Sequence, residues 1–293
     1  MLYSIAQQSH QGGRDYNEDR TAIFEREGAV LLVVADGLGG HAGGDLASQA
    51  FVDAMGDSFT RATGRQLLDA ANFLKLSINY AHHKIHRRAA NHGYDPKTPK
   101  TTCVVCLICG DEATWAHSGD SRLYLINKRK IQAQTTDHVS IKHGTTGNHP
   151  INRCVGGAEP PMPEISEPFI MSDGDILILA SDGAWQSFKP RDLEEYIDAE
   201  HPTLGLDNLL QTLENRNKAP SDNLSITMLY WGVSQLDNPS ATAYEESDSI
   251  QLLSHEDYAD PKSLDGKTPF DIEDLDNKIN EIEEFILDID KQI

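Results

Sequence analysis

The run Leu31-Leu32-Val33-Val34-Ala35 stops at Asp36, and Gly37, Leu38, Gly39, Gly40 and His41 follow. A short unbroken run of β-branched and leucine residues predicts a strand buried on both faces. Such a strand is a rigid rod that delivers Asp36 to the rim of a sheet. The glycines let another group approach the backbone closely there. The same pattern also fits a strand running into a tight turn, with Asp36 capping its own backbone. What separates the two is recurrence: Ile176-Leu177-Ile178-Leu179-Ala180-Ser181-Asp182-Gly183 repeats the arrangement.

A chain of 293 residues holds one large domain or two ordinary ones and can bury a substantial core. Its net charge of −21 argues against nucleic acid or an anionic membrane surface as the main partner. Residues 240–293 carry 16 Asp and Glu against 4 Lys and Arg. More than half of the excess negative charge therefore sits in a tail of different character. Met1 to Gly13 has no signal-peptide pattern. The longest apolar runs fall far short of the roughly 20 residues of a membrane helix. A cytoplasmic protein is expected. Cys103, Cys106 and Cys109 lie in an apolar run that reads as a strand, so Cys106 faces away from the other two. Three residues on opposite faces cannot close one tetrahedral metal site, and buried thiols are expected.

Along the chain, strands are expected within residues 2–35, interrupted by the polar loop Gly12–Arg20. That loop, with Arg14, Asp15, Glu18, Asp19 and Arg20, is a solvated turn or a phosphate or metal site. Helical spacing predicts helices over Asp45–Phe59 and Gln66–Asn91. The end of the second carries His82, His83, Lys84, His86, Arg87 and Arg88, expected as a solvated basic face. Three strands are expected over 101–132, with Trp115 to Leu125 as a hairpin whose turn holds Asp120. Residues 134–168, rich in Gly and Pro, suggest a mobile surface loop. Helices at 190–200 and 204–217 precede a last strand that starts near Asp222.

Carboxylates thus gather at strand ends: Glu18 and Asp19, Asp36, Asp120, Asp182 and Asp222. Like charges brought together cannot all ionise without a counter-ion. If these strands lie in neighbouring sheets, the cluster calls for divalent metal. Oxygen ligands favour Mg²⁺ or Mn²⁺ over zinc. Two such ions about 3.5–4 Å apart would suit in-line attack of an activated water on a phosphoryl group.

The order of these pieces resembles the metal-dependent Ser/Thr protein phosphatases of the type 2C (PPM) family, in their bacterial form. The matching segments are Arg14-Asp15-Tyr16-Asn17-Glu18-Asp19, Asp36-Gly37-Leu38-Gly39-Gly40-His41-Ala42-Gly43-Gly44, Gly119-Asp120-Ser121-Arg122, Ser181-Asp182-Gly183 and Asp222-Asn223-Leu224-Ser225. The resemblance implies an α+β fold: a four-layer α-β-β-α sandwich, two antiparallel sheets flanked by helix pairs, with metals in a cleft at one edge. It implies a catalytic domain over 1–233. It makes Asp36 the bridge between two Mg²⁺ or Mn²⁺ ions and Gly37 a ligand through its carbonyl. Asp182 and Asp222 complete the other ion. Glu18 binds a metal directly or through water, with Asp19 beside it. Asp120 and Asp182 share a weaker third ion, and Arg14 holds the substrate phosphate. The implied reaction is hydrolysis of phosphoserine or phosphothreonine by metal-activated water, reversing a Ser/Thr kinase. The implied partners are phosphorylated proteins, among them a cognate kinase or its substrates.

Two departures stand out. Animal members carry a His directly after the Asp-Gly pair, suited to protonating the leaving alkoxide; here Leu38 holds that place. The flap after Thr135-Thr136-Asp137-His138 is short, with about eleven residues before Pro150.

Residues 234–267 read as a flexible acidic linker. Thr268-Pro269-Phe270-Asp271 then has the signature of a helix start. Ile272, Leu275, Ile279, Ile282, Ile286, Ile289 and Ile293 form a heptad seam over 268–293. So short a helix needs a cover. It folds back on the catalytic domain, pairs with itself or docks on a basic partner. Two other functions stay open on the residues alone: a phosphatase for a small phosphomonoester, and a regulatory binding protein acting through this helix.

Overall fold

The computed structural model describes residues 1–38, 43–140, 150–189, 192, 196, 201–216 and 222–232. The expected flap at 141–149, His41, most of the helix at 190–200, the linker and the heptad segment lie outside the described residues.

Two antiparallel sheets form the frame. One contains β1 (Tyr3–His10), β13 (Leu224–Trp231), β12 (Ile176–Ala180), β7 (Arg122–Asn127) and β8 (Lys130–Gln134), in that order. The other centres on β3 (Ala29–Leu38), with β2 (Asp19–Arg26) on one side and β5 (Cys103–Cys109) and β4 (Lys100–Thr101) on the other. It continues through β6 (Glu112–Ser118) and the short strands β9 (Val155–Gly156), β10 (Glu164–Ile165) and β11 (Phe169–Ile170). The helices are α1 (Gly44–Arg61), α2 (Gly64–Leu68), α3 (Ala70–Asn91), α4 (Asp182–Trp185) and α5 (Pro202–Arg216). Among the described residues, no helix is long and apolar enough to cross a membrane.

The two-sided apolar run accounts for the layering. Val30, Leu32 and Val34 join Leu123, Leu177, Leu179 and Leu229 in the core between the sheets. Alternation turns Leu31, Val33 and Ala35, all fully buried, to the opposite face, against which α1 packs. At about 1.5–3 kcal/mol per buried Val or Leu side chain, this strand is a main contributor to stability. On the outer face of the other sheet, Leu206, Leu209, Leu210 and Leu213 of α5 cover Ile178, Ile226 and Met228. Cys106 faces the inter-sheet core and Cys103 is buried, both as free thiols.

Several details differ from expectation, among them four strands, β5 to β8, where three were expected over 101–132. Trp115 to Leu125 is not a hairpin: β6 pairs with β5 in one sheet, and β7 pairs with β12 in the other. The turn at Gly119 carries the chain from sheet to sheet, with φ of 116° and the Thr102 side chain so near that a Cβ would sit 2.7 Å from it. The second helix is split at Asp69, whose non-helical backbone caps α3 through a bond from the Asn72 N–H. The basic face is not solvated as a whole, since His82 and His86 are buried. His82 Nδ1 accepts the Gly156 N–H at 3.1 Å, and His86 Nε2 donates to the Gly157 carbonyl at 2.6 Å. Both hold the 155–157 segment in place.

This burial predicts acid lability. Desolvation, then the neighbouring His86 and His83, lowers the His82 pKa from 6.5 to about 3. The unfolded chain takes up that proton near pH 6.5 and the folded chain only near 3. The contribution to stability is complete above 6.5 and is lost as pH falls toward 3. Melting temperatures between pH 7 and 5 should fall more steeply for the native chain than for His82→Asn. Equal slopes would contradict the assignment.

Candidate active site

The inter-sheet row Val30, Leu32, Val34 ends at Asp36, which replaces the next apolar residue on the same face. Asp19 lies directly opposite it, in register on β2. The apolar filling between the sheets therefore gives way to carboxylates at one end of the sandwich. Asp182 reaches the same place from the first position of α4, and Asp222 from the residues preceding β13.

There Glu18, Asp36, Gly37, Asp182 and Asp222 line one cavity of about 350 Å³, with Arg14, Tyr16 and Leu38 on its walls. Asp120 is not among the lining residues, although the charge of Asp182 reaches it. Asp19 is buried next to the cavity, beside Ser181 and Ser225. The six expected metal-binding residues are thus five on one wall and one set apart.

Close backbone approach assembles the wall. A Cβ on Gly37 would lie 2.3 Å from the Gly44 carbonyl oxygen and 2.8 Å from that of Glu18. Gly37 N–H donates to the Glu18 carbonyl at 3.2 Å, as does the Ser48 hydroxyl at 2.6 Å. A Cβ on Gly183 would lie 2.2 Å from the Asn223 carbonyl oxygen. Asn223 is a hub to which residue order alone assigns no role. Its Oδ1 accepts the Glu18 N–H at 2.9 Å, and its Nδ2 donates to the carbonyls of Gln11 and Tyr16 at 2.7 and 3.0 Å. An amide directly after a strand-end carboxylate, in Asp222-Asn223, is the one local signal of it.

The electrostatics are those of an anionic pocket. Burial, followed by the charges of Asp19 and Asp182, drives the Asp36 pKa well above its usual value. Burial and then Asp222 raise that of Asp182. Burial raises Asp19 and Asp120 to about 7, with Asp182 adding to each. One oxygen of Asp19 and one of Asp120 are buried with no hydrogen-bond partner among the described residues. Arg14 answers part of this charge through a 2.7 Å ion pair with Asp222, both side chains being exposed enough for water to weaken it. Buried, like-charged, under-satisfied carboxylate oxygens fit a hard divalent cation, which needs oxygen ligands and supplies the missing positive charge.

A two-sheet sandwich with such a carboxylate cleft and an arginine at its wall fits a metal-dependent phosphatase. The chain belongs to the protein phosphatase 2C family, whose model matches residues 6–216. It is 24% identical over 230 residues to the protein phosphatase PhpP of Streptococcus pneumoniae, covering 74% of this chain and 92% of that one. It is 28% identical over 235 residues to the serine/threonine phosphatase Stp of Listeria monocytogenes, covering 74% and 90%. Among solved structures, the catalytic domain of the phosphatase PstP in complex with two manganese ions superposes with a TM-score of 0.65. It is 26% identical, covering 78% of this chain and 98% of that one.

Proposed function

We propose that this chain is a protein serine/threonine phosphatase that hydrolyses phosphoserine and phosphothreonine on proteins, opposing a Ser/Thr kinase in the cytoplasm. The observation that carries the reading is the convergence of Asp36, Asp182 and Asp222 on one cavity that Arg14 also lines. In this reading Asp36, the Gly37 carbonyl, Glu18, Asp182 and Asp222 would hold two Mg²⁺ or Mn²⁺ ions. Asp120, with Asp182, would hold a more weakly bound third ion. The ions would supply charge compensation and Lewis acidity toward phosphoryl oxygens.

The chain's own residues do the rest. Arg14, paired with Asp222 in the absence of substrate, exchanges that carboxylate for the substrate phosphate, whose oxygens suit its planar fork. Asp19, in register with Asp36 on β2, adds its buried charge behind the cavity wall. Leu38 lines the cavity and has no titratable group, so residue 38 does not protonate the leaving alkoxide. We assign residues 1–233 to the catalytic domain, 234–267 to a linker and 268–293 to a helix that folds back, self-associates or binds a partner.

The test is hydrolysis of a phosphothreonine peptide and of p-nitrophenyl phosphate, with Mn²⁺ and with EDTA. Peptide hydrolysis that requires Mn²⁺ and stops in EDTA is the expected result. Activity that persists in EDTA would overturn the metal assignment. Hydrolysis of small phosphomonoesters but no phosphopeptide would move the substrate class.

A further inference from the structure

Asp120 and Asp182 approach each other from different parts of the chain, the β6–β7 connection and the first turn of α4. Their carboxylates repel, so contacts elsewhere must hold them at their separation. Trp185 provides one. It ends the single turn that begins with Asp182, and its indole Nε1–H donates to the Asp120 carbonyl at 2.8 Å. Residues three apart on a helix share a side, so this one turn presents a carboxylate and a donor to the same neighbour.

The indole is itself held. The Arg122 guanidinium lies 3.3 Å from the ring centroid, stacked on its face. Arg122 is fixed by a two-pronged pair with Asp137, Nε to Oδ1 at 2.7 Å and Nη2 to Oδ2 at 2.8 Å. Next along the chain, His138 clamps the residue before Asp120. Its N–H donates to the Gly119 carbonyl at 2.9 Å, and its Nδ1 accepts the Gly119 N–H at 3.3 Å. Neither Trp185 nor Arg122 lines the cavity. Their arrangement grips the turn that bears Asp120.

We propose that Trp185 is a positioning residue, its indole locked by Arg122 and Asp137, which sets Asp120 at a fixed distance from Asp182 so that the two share a divalent cation. This role rests on Asp120 being a metal ligand. The Asp36 and Asp222 wall is built from other contacts, those of Gly37, Gly183 and Asn223.

Isothermal titration of Mn²⁺ into the metal-free full chain tests it, using the native protein, Trp185→Phe, Asp120→Asn and the double variant. Phe keeps a ring for Arg122 and deletes the donor. Asp120→Asn should lose the weaker component of Mn²⁺ uptake. Trp185→Phe should weaken that component about five- to tenfold, the scale of one hydrogen bond, and leave the tighter uptake unchanged. The double variant should be no worse than Asp120→Asn alone. Native-like binding by Trp185→Phe beside a defective Asp120→Asn overturns the inference, as does equal weakening of every component. Native-like binding by Asp120→Asn overturns the ligand reading and this inference with it. Arg122→Lys, which leaves Trp185 in place but unstacked, must weaken the same component, so the test does not depend on how well Trp185→Phe folds.

Discussion

Asp36→Asn should reduce phosphopeptide hydrolysis about 10³-fold while making the metal-free protein more stable. The two effects have one origin. Asp36 is surrounded by Asp19, Asp182, Asp120 and Asp222, and burial and these charges together raise its pKa well above 3.8. A carboxyl group with a raised folded pKa costs stability above its unfolded pKa. That cost grows until the pH passes the folded value. Asparagine keeps the shape and removes the charge, so the metal-free protein gains. With Mn²⁺ present the balance reverses, because the group that would bridge the ions is gone. Several kcal/mol of transition-state stabilisation lost, at 1.36 kcal/mol per tenfold, corresponds to about three orders of magnitude. Melting temperatures in EDTA and in Mn²⁺, with kcat/KM in Mn²⁺, measure both. A variant that is less stable in EDTA, or that retains activity within tenfold, would show that Asp36 is structural.

Gly37→Ala should be the most destabilising conservative change at the site. The added methyl would fall 2.3 Å and 2.4 Å from the Gly44 carbonyl oxygen and carbon, and 2.8 Å from the Glu18 oxygen. All three are backbone atoms that cannot swing aside, so the end of β3, the start of α1 and the Glu18 segment must separate. The cost is roughly 3 kcal/mol or more, a fall of about 6–12 °C in Tm at this domain size. Mn²⁺ affinity should fall with it, because the Gly37 carbonyl and Glu18 move together. Gly64→Ala is the control. Gly64 opens α2 with nothing within 4 Å of an added Cβ, so alanine there should be neutral or stabilise by up to about 1 kcal/mol. A Gly37→Ala protein with native Tm and native Mn²⁺ binding would refute the close-approach account.

Much of this architecture could be read from residue order because the informative features are local. The runs ending at Asp36 and Asp182 carry both their burial and their polar ends in consecutive residues. The helical spacing of Leu46, Phe51 and Met55 likewise needs no tertiary knowledge. What escaped depends on contacts between distant segments. Trp115 to Leu125 has the local pattern of a hairpin, and only the partners chosen by β6 and β7 reveal a change of sheet. His82 and His86 sit among basic residues, yet the 155–157 loop covers them and supplies their hydrogen bonds. The setting of Asp120 off the cavity wall was invisible for the same reason, since it is held through Trp185, 65 residues away. Asp182 opening a helix rather than ending a strand is a smaller miss, caused by one turn too short to show periodicity.

The pairing of β1 with β13 has a consequence for how the protein comes into being. Arg14 meets Asp222 across 208 positions, and Glu18 meets Asn223 across 205. The cleft is therefore stitched from the first and last strands of the described unit. On a ribosome, the strands from β2 onward are made before Asp222, which just precedes the last strand of the described unit. Contacts of such long sequence separation are slow to form. The full crowd of negative charge is engaged only when that last strand docks. Docking of that strand and charging of the cleft are thus expected to coincide late in folding.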